Sequence, residues 1–157
     1  MKEIIHAFTQ SKKIGVVGAS DNKDNFGKFL MEELSKLEYE VFPVNPRYQT
    51  VTGKPCVATV AGLPQEVECV IIAVPSDLTQ EIIDQCIGTT VKRVWMIQGM
   101  GRGAYNEEAH RKCRENNIEL VYGFCPMMFY GGGFHHFHFW LRKTFGKLPP
   151  EYLISRN

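Results

Sequence analysis

The chain has 157 residues, of which 44% are hydrophobic and 22% charged, and its formal net charge is +1. This size and composition are typical of one compact globular domain, so we expect residues 1–157 to form a single unit. A net charge so near zero gives no overall attraction to nucleic acid or to a membrane surface, which excludes both as bulk electrostatic partners.

Cellular location is indicated by the N-terminus and the cysteines. The first residues have neither the apolar stretch nor the cleavage site of a secretory signal. Five scattered cysteines form no Cys-x-x-Cys pair. We therefore expect a cytoplasmic protein with reduced thiols, in which Cys69, Cys86 and Cys113 are packed as small hydrophobic side chains.

Apolar runs of strand length alternate with helical periodicity along most of the chain. We predict strands at 13–18, 40–44, 68–74, 91–98 and 118–122. We predict helices from about residue 26, after residue 75 and over 104–116, with Leu30, Leu34, Leu37, Leu78, Ile83 and Cys86 among the positions facing the sheet. The run at 68–74 is apolar throughout, which is typical of a strand buried on both faces of a parallel sheet.

Between residues 49 and 64 the glycines and prolines predict a loop, with at most a short strand at 54–57, in place of a crossover helix. Strand and helix otherwise alternate, which indicates right-handed βαβ units. The predicted fold class is therefore α/β, a Rossmann-like doubly wound parallel sheet.

The turn after the first predicted strand has the features of an anion site. Gly18 would let the backbone approach a ligand closely. The amides of Ala19 and Ser20, and those at the start of the next helix, could face a phosphate. The Ser20 hydroxyl, Lys23 and Lys28 could assist. The glycines at 15, 18 and 27 match neither the G-x-G-x-x-G fingerprint nor a P-loop, and the alternative is that Gly18 only ends a strand.

The second predicted strand ends in Asn45-Pro46-Arg47, where a dinucleotide-binding domain usually carries an acid for a ribose hydroxyl. Asn45 could still form hydrogen bonds, and Arg47 could pair with a phosphate on the ribose, as could Lys54. This pattern favours a nucleotide with a ribose phosphate, either NADP or coenzyme A. The alternative is that Arg47 is an ordinary solvated surface cation.

The segments VVGAS, VFPVNPRYQTVTGKP, VIIAVPSD, VWMIQG and FCP occur in the order found in stand-alone CoA-binding domain proteins. From about residue 10 to 126 the chain resembles the N-terminal CoA-binding Rossmann domain of the succinyl-CoA synthetase α subunit. The resemblance implies strand order 3-2-1-4-5, with coenzyme A bound across the strand ends. It also implies no catalysis by this chain, because the synthetases carry their phosphorylated histidine in a second domain.

The resemblance also implies which residues bind coenzyme A. These are Gly18, Ala19, Ser20, Lys23 and Asn25 in the first loop; Val44, Asn45, Pro46, Arg47 and Tyr48 on the adenosine side; Ala73, Val74 and Pro75 near the adenine or pyrophosphate; and Ile97, Gln98 and Gly99 along the pantetheine path. Relatives often have an arginine late in the first loop, where this chain reads Lys23-Asp24-Asn25.

Residues from about 127 to 157 form an aromatic-rich extension, which we expect to be helical. Its aromatic stripe predicts packing against the sheet or a homodimer surface. His135, His136 and His138, with Cys125, are ligand types suited to zinc, but their spacing is not that of a standard zinc motif, and aromatic packing is favoured. Cys125 follows the last strand, and we expect it to be a packed, unreactive thiol.

Three functions remain compatible with the sequence. Binding of coenzyme A or an acyl-CoA, without catalysis, is favoured by Asn45-Pro46-Arg47 and by the motif order. An NADP-dependent oxidoreductase fits Arg47 but lacks G-x-G-x-x-G and a Tyr-x-x-x-Lys pair. A non-catalytic interaction protein would act through the aromatic extension.

Overall fold

The computed structural model describes residues 1–98, 103–130 and 149–153. The strands are β1 (Lys13–Val17), β2 (Glu40–Val44), β3 (Thr50–Val51), β4 (Lys54–Pro55), β5 (Cys69–Ile72), β6 (Arg93–Ile97) and β7 (Glu119–Phe124). The helices are α1 (Lys2–Gln10), α2 (Phe26–Lys36), α3 (Ser76–Cys86), α4 (Glu107–Glu115) and α5 (Met127–Tyr130), with short turns of helix at Val60–Gly62 and Pro150–Leu153. Within these ranges no helix is long and apolar enough to cross a membrane.

Five parallel strands form the central sheet in the order β2-β1-β5-β6-β7. The α/β, Rossmann-like class is therefore confirmed. The expected order 3-2-1-4-5 is wrong in one respect, because no full third strand of the described chain lies beside β2. That position holds a single parallel bridge between Val44 and Val57. The glycines and prolines between β2 and β5 explain this, since they interrupt the regular pairing that a longer strand needs.

Burial in the sheet explains why its strands were visible in the sequence. All four residues of β5 are buried, as are four of the five in β1 and in β6. Helices cover both faces, so the strands appear as continuous apolar runs. Cys69, Cys86 and Cys113 are buried free thiols, as expected, and burial raises the pKa of Cys86 and of Cys113 to about 12.

Helix α1 was not expected from the sequence. It buries Ile5 and Phe8 against the sheet, and the Phe8 ring meets the Trp95 ring edge-on with centroids 5.4 Å apart. No side chain caps its first turn. The segment therefore lacks the start signal by which short helices are recognised in a sequence.

The buried face of α3 differs from the expected one. Leu78 is 47% exposed, whereas Thr79, Ile83 and Cys86 are buried. The helix begins directly after Pro75, and positions 79, 83 and 86 share the face that meets the sheet. The Thr79 hydroxyl donates to the Ala104 carbonyl oxygen at 2.7 Å, so this buried hydroxyl is satisfied. Leu37, also expected to face the sheet, is 40% exposed just beyond the end of α2.

Candidate functional site

The carboxyl ends of β2, β1 and β5 lie side by side and bring three predicted loops together. Val17 pairs with Val44 on one side and with Ile72 on the other. The loops that begin at Gly18, Asn45 and Ala73 therefore leave the sheet next to one another. In open α/β sheets, the crevice at this edge is where ligands bind.

Gly18 is required at the end of β1 by its conformation and by its neighbours. Its φ is +89°, a conformation that residues with a side chain rarely adopt. A Cβ atom here would lie 2.7 Å from both the Ala73 carbonyl oxygen and a methyl carbon of Val74. The absence of a side chain at Gly18 is therefore required by the Ala73 backbone and the Val74 side chain of the next loop, without any ligand.

The Asn25 side chain holds the first loop closed and starts α2. Its Oδ1 accepts hydrogen bonds from the backbone N–H of Ser20 at 3.1 Å and of Lys28 at 2.8 Å. Its Nδ2 donates to the Gly18 carbonyl oxygen at 3.0 Å. The backbone N–H of Ser20, which the sequence predicts to face a phosphate, thus already donates a hydrogen bond within the loop.

The Ser20 hydroxyl lies inside this loop. Ser20 is 4% exposed, and its Oγ has no hydrogen-bond partner among the described residues. Buried hydroxyl groups in proteins are nearly always paired. The Ser20 Oγ is therefore a buried donor whose acceptor is not among the described residues.

Asn45 joins the second loop to the first. Its Nδ2 donates to the Ala19 carbonyl oxygen at 2.9 Å, and its Oδ1 accepts from the Arg47 N–H at 3.0 Å. Its own N–H donates to the Val57 carbonyl oxygen. The Asn45 side chain, which the sequence predicts to bind the ligand, therefore holds the first and second loops together.

Four cations surround these loops without forming ion pairs with any described residue. Lys23 and Arg47 are exposed, and Lys28 and Lys54 are half-buried. Elsewhere in the described chain many cations are paired, and those with carboxylate partners include Lys13, Lys36, Lys92, Arg93, Arg111 and Lys112. The same loops hold the carboxylates of Asp21 and Asp24, so four cations against two carboxylates leave the candidate site with net positive charge.

The remaining predicted residues follow β5 and β6. Ala73 and Val74 are half-buried, and Pro75 caps the start of α3. Ile97 is buried, and the Gln98 N–H donates to the Phe124 carbonyl oxygen at 3.0 Å. Gly99 lies outside the described residues. Gln98 lies at the end of β6, one strand beyond β5, so it extends the same edge rather than joining the first loop.

Sequence reasoning missed three residues that shape this edge. The Asp21 carboxylate accepts the Thr52 N–H at 2.9 Å and so fastens the β3–β4 hairpin to the first loop. Gly27 lies so close to the first loop that a Cβ would be 2.7 Å from the Ala19 Cα. A glycine in the first turn of a helix is a signal that could have revealed this contact, because alanine is preferred there unless space forbids it.

A polar aromatic cluster lies at the other end of the sheet, beside β7. The Tyr105 hydroxyl and His110 Nδ1 are 3.2 Å apart, and the Tyr122 hydroxyl donates to the Glu151 carboxylate. This hydrogen bond lowers the pKa of Glu151, and burial lowers the pKa of His110. The cluster attaches the turn Pro150–Leu153 to the outer strand of the sheet.

Most of the features predicted for the C-terminal extension involve residues that the structure does not describe. His135, His136 and His138, together with the aromatic stripe assigned to a homodimer, lie outside the described residues. Cys125 is half-buried. Over the residues that are described, no cluster of three potential metal ligands occurs.

The strand order and helical layers define the chain as a Rossmann-like α/β protein. A family described as CoA binding domain matches residues 12–131. The chain belongs to this CoA-binding domain family, which confirms the expected resemblance and, at the level of the family, coenzyme A as the ligand.

Relatives of two lengths are similar to this chain. An ADP-forming acetate–CoA ligase of Methanocaldococcus jannaschii is 25% identical over 149 residues, which are 92% of this chain and 20% of the ligase. An uncharacterized protein of Bacillus subtilis, YneT, is 25% identical over 123 residues, covering 78% of this chain and 88% of that protein. A solved structure of a hypothetical protein from Pyrococcus horikoshii OT3 superposes with a TM-score of 0.75 and 33% identity, covering 82% of this chain and 88% of that one. The chain therefore spans about a fifth of the ligase it matches.

Proposed function

We propose that this chain binds coenzyme A or an acyl-CoA across the carboxyl edge formed by β2, β1 and β5, and has no catalytic machinery of its own. The observation that carries the proposal is the Ser20 hydroxyl, which is buried and has no partner among the described residues. An unpaired buried polar group costs about 1–3 kcal/mol. A phosphate oxygen held in the first loop would supply the missing acceptor.

The charge around the loops suits the same ligand. Coenzyme A carries a pyrophosphate and a ribose 3′-phosphate, and Lys23, Lys28, Arg47 and Lys54 surround this edge without carboxylate partners in the described chain. Arg47 follows β2, where an acid would repel a ribose phosphate and an arginine would bind it. We assign Arg47 to the 3′-phosphate and the first loop to the pyrophosphate.

The absence of catalysis is supported by the surroundings of the groups that could act as nucleophiles. No histidine or carboxylate among the described residues forms a hydrogen bond with the Ser20 hydroxyl. The Cys56 thiol contacts the backbone oxygens of Asn45 and Val57, and burial raises the pKa of Cys56. Neither group has the adjacent base that activates a serine or a thiol.

Thermal unfolding with coenzyme A, dephospho-CoA, NADP and NAD, each in excess, tests the binding. A ligand that binds only the folded state raises the melting temperature. We expect a rise with coenzyme A and a smaller one with dephospho-CoA. A rise with NADP alone would favour an oxidoreductase, and no rise with any of the four would refute nucleotide binding at this edge.

Catalysis is tested separately with acetyl-CoA and a thiol-reactive dye. A chain that only binds its ligand releases no thiol above the rate in buffer. A steady release that the Ser20→Ala variant abolishes would contradict the non-catalytic part of the proposal.

A further inference from the structure

The backbone carbonyl groups of the first loop are bound in an unusual way. The Gly18 carbonyl oxygen accepts from Asn25 Nδ2, and the Ala19 carbonyl oxygen accepts from Asn45 Nδ2. Two consecutive carbonyls are thus each bonded by a side-chain amide. The two asparagines come from different elements, since Asn25 caps α2 and Asn45 follows β2.

The peptide unit between Ala19 and Ser20 is held at both of its polar ends. Its oxygen is bound by Asn45, and its N–H donates to Asn25 Oδ1 at 3.1 Å. A peptide unit is planar, with its C=O and N–H pointing in opposite directions. Fixing both ends therefore fixes the rotation of the whole unit, and the loop cannot turn a carbonyl toward the ligand without breaking a hydrogen bond.

Carbonyl orientation matters because a carbonyl oxygen repels a phosphate whereas an N–H or hydroxyl donor attracts it. In the G-x-G-x-x-G fingerprint, glycines allow the tight turn and the close approach of the helix. Here Gly18 and Gly27 provide the close approaches, but the loop between them is longer than in the fingerprint. Something other than glycine spacing must hold that longer loop.

We infer that Asn25 and Asn45 are positioning residues that hold the first loop in its phosphate-binding form, rather than groups that contact the ligand. The inference rests on the proposed function, because it assigns these two side chains a task within the coenzyme A site. Their carboxamides take the place of the short glycine turn, and they leave the Ser20 hydroxyl as a donor to the phosphate.

The Asn25→Asp variant separates the two halves of this side chain. A carboxylate oxygen still accepts the Ser20 and Lys28 amides, so the cap of α2 is kept. The donor to the Gly18 carbonyl is lost and is replaced by a second oxygen. Asn22→Asp is the matched control, because it adds the same charge at an exposed position of the same loop. Within the described chain, the hydrogen bond recorded for Asn22 uses its backbone carbonyl oxygen, which accepts from the Asn25 N–H, and not its side chain.

The dissociation constant of coenzyme A is measured by calorimetry at about 0.01 M and about 1 M salt, between which the screening length falls from about 30 Å to about 3 Å. At high salt we expect Asn25→Asp to bind about tenfold more weakly than the original chain, as for a lost hydrogen bond that leaves its partner unpaired. At low salt the loss should be larger, because the added charge then also repels the ligand. We expect Asn22→Asp to bind more weakly only at low salt.

Two further readouts distinguish positioning from general damage to the fold. At about 1 M salt the ratio of the affinities for coenzyme A and dephospho-CoA should be unchanged in Asn25→Asp, because both ligands share the pyrophosphate and the added charge is screened. Asn45→Asp should also lose coenzyme A affinity at high salt without touching the helix cap, since its remaining oxygen still accepts the Arg47 amide. Both variants should melt within a few degrees of the original chain in the absence of ligand.

The possible failures are distinguishable. If the original chain does not bind coenzyme A, the proposed function fails and this inference fails with it. If the original chain binds but Asn25→Asp binds equally well, only the inference is overturned. A loss in Asn25→Asp that Asn22→Asp reproduces and that vanishes at high salt would also overturn it, because charge alone would then explain the loss.

Discussion

Replacing Arg47 by alanine gives the sharpest test of ligand recognition, because the fold does not depend on its side chain. The Arg47 guanidinium is exposed and makes no ion pair with a described residue, and only the backbone N–H is bonded, to Asn45. Arg47→Ala should therefore leave the melting temperature of the ligand-free chain almost unchanged. Any change in affinity then reports on the ligand contact.

The size of the effect follows from the exposure of the side chain. A hydrogen bond to a charged group contributes about 1.5–3 kcal/mol, whereas an exposed ion pair contributes about 0.2–1 kcal/mol. For an exposed arginine on a phosphate we expect about 1.4 kcal/mol, which is a tenfold weaker affinity for coenzyme A. Dephospho-CoA lacks the 3′-phosphate, so its affinity should change by less than about twofold.

Calorimetric titration of both ligands into Arg47→Ala measures these two changes. Arg114→Ala is the matched control, since it removes an exposed guanidinium from the end of α4, which lies at the opposite edge of the sheet. Equal losses for the two ligands, or equal losses in the two variants, would refute the assignment of Arg47 to the 3′-phosphate.

Three further outcomes follow from the geometry. Gly18→Ala should lower the free energy of unfolding, measured in urea, by more than about 2 kcal/mol. Gly53→Ala is the control, since Gly53 has φ +74° but no atom within 4 Å of a Cβ, and it should cost only about 1 kcal/mol. Equal costs would contradict the close contacts of Gly18. Ser20→Ala should keep or raise stability while it weakens coenzyme A binding about fivefold, and a loss of stability would mean that the hydroxyl is already paired. Tyr122→Phe should lower the free energy of unfolding by about 0.5–1 kcal/mol near pH 7 and by less near pH 3. The hydrogen bond from Tyr122 lowers the pKa of Glu151, so its stabilisation is complete above the ordinary carboxyl pKa of 4.5 and is lost as the pH falls through the folded-state pKa. A cost that does not change with pH would refute this linkage.

The parts of the fold that could be predicted are those determined by local burial. The strands predicted at 13–18 and 40–44 match Lys13–Val17 and Glu40–Val44 to within a residue, because buried apolar residues fill four of the five positions of β1 and three of the five of β2. The loop that replaces a crossover helix was also visible, since its glycines and prolines interrupt any regular element. Helix α1 was missed because it is short and has no capping side chain.

The candidate site was predictable by position but not by hydrogen bonding. Gly18, Asn45 and Ala73 follow strands, and the ends of neighbouring parallel strands must meet at one edge. The bonds from Asn45 to Ala19 and from Thr52 to Asp21 join groups 26 and 31 residues apart, and each uses a backbone atom that every residue possesses. Such contacts leave no signature in the sequence. The sequence therefore predicts that Asn45 lies at the ligand edge but not that its side chain supports the first loop.

The outer edge of β2 is covered by chain that is not a full strand. Beside β2, the Val57 N–H and carbonyl bond to Pro43 and Asn45. An uncovered strand edge is a template on which a second chain can add a strand. This covering therefore opposes edge-to-edge pairing of a second chain with β2, and it does so without occupying the carboxyl end of the strand.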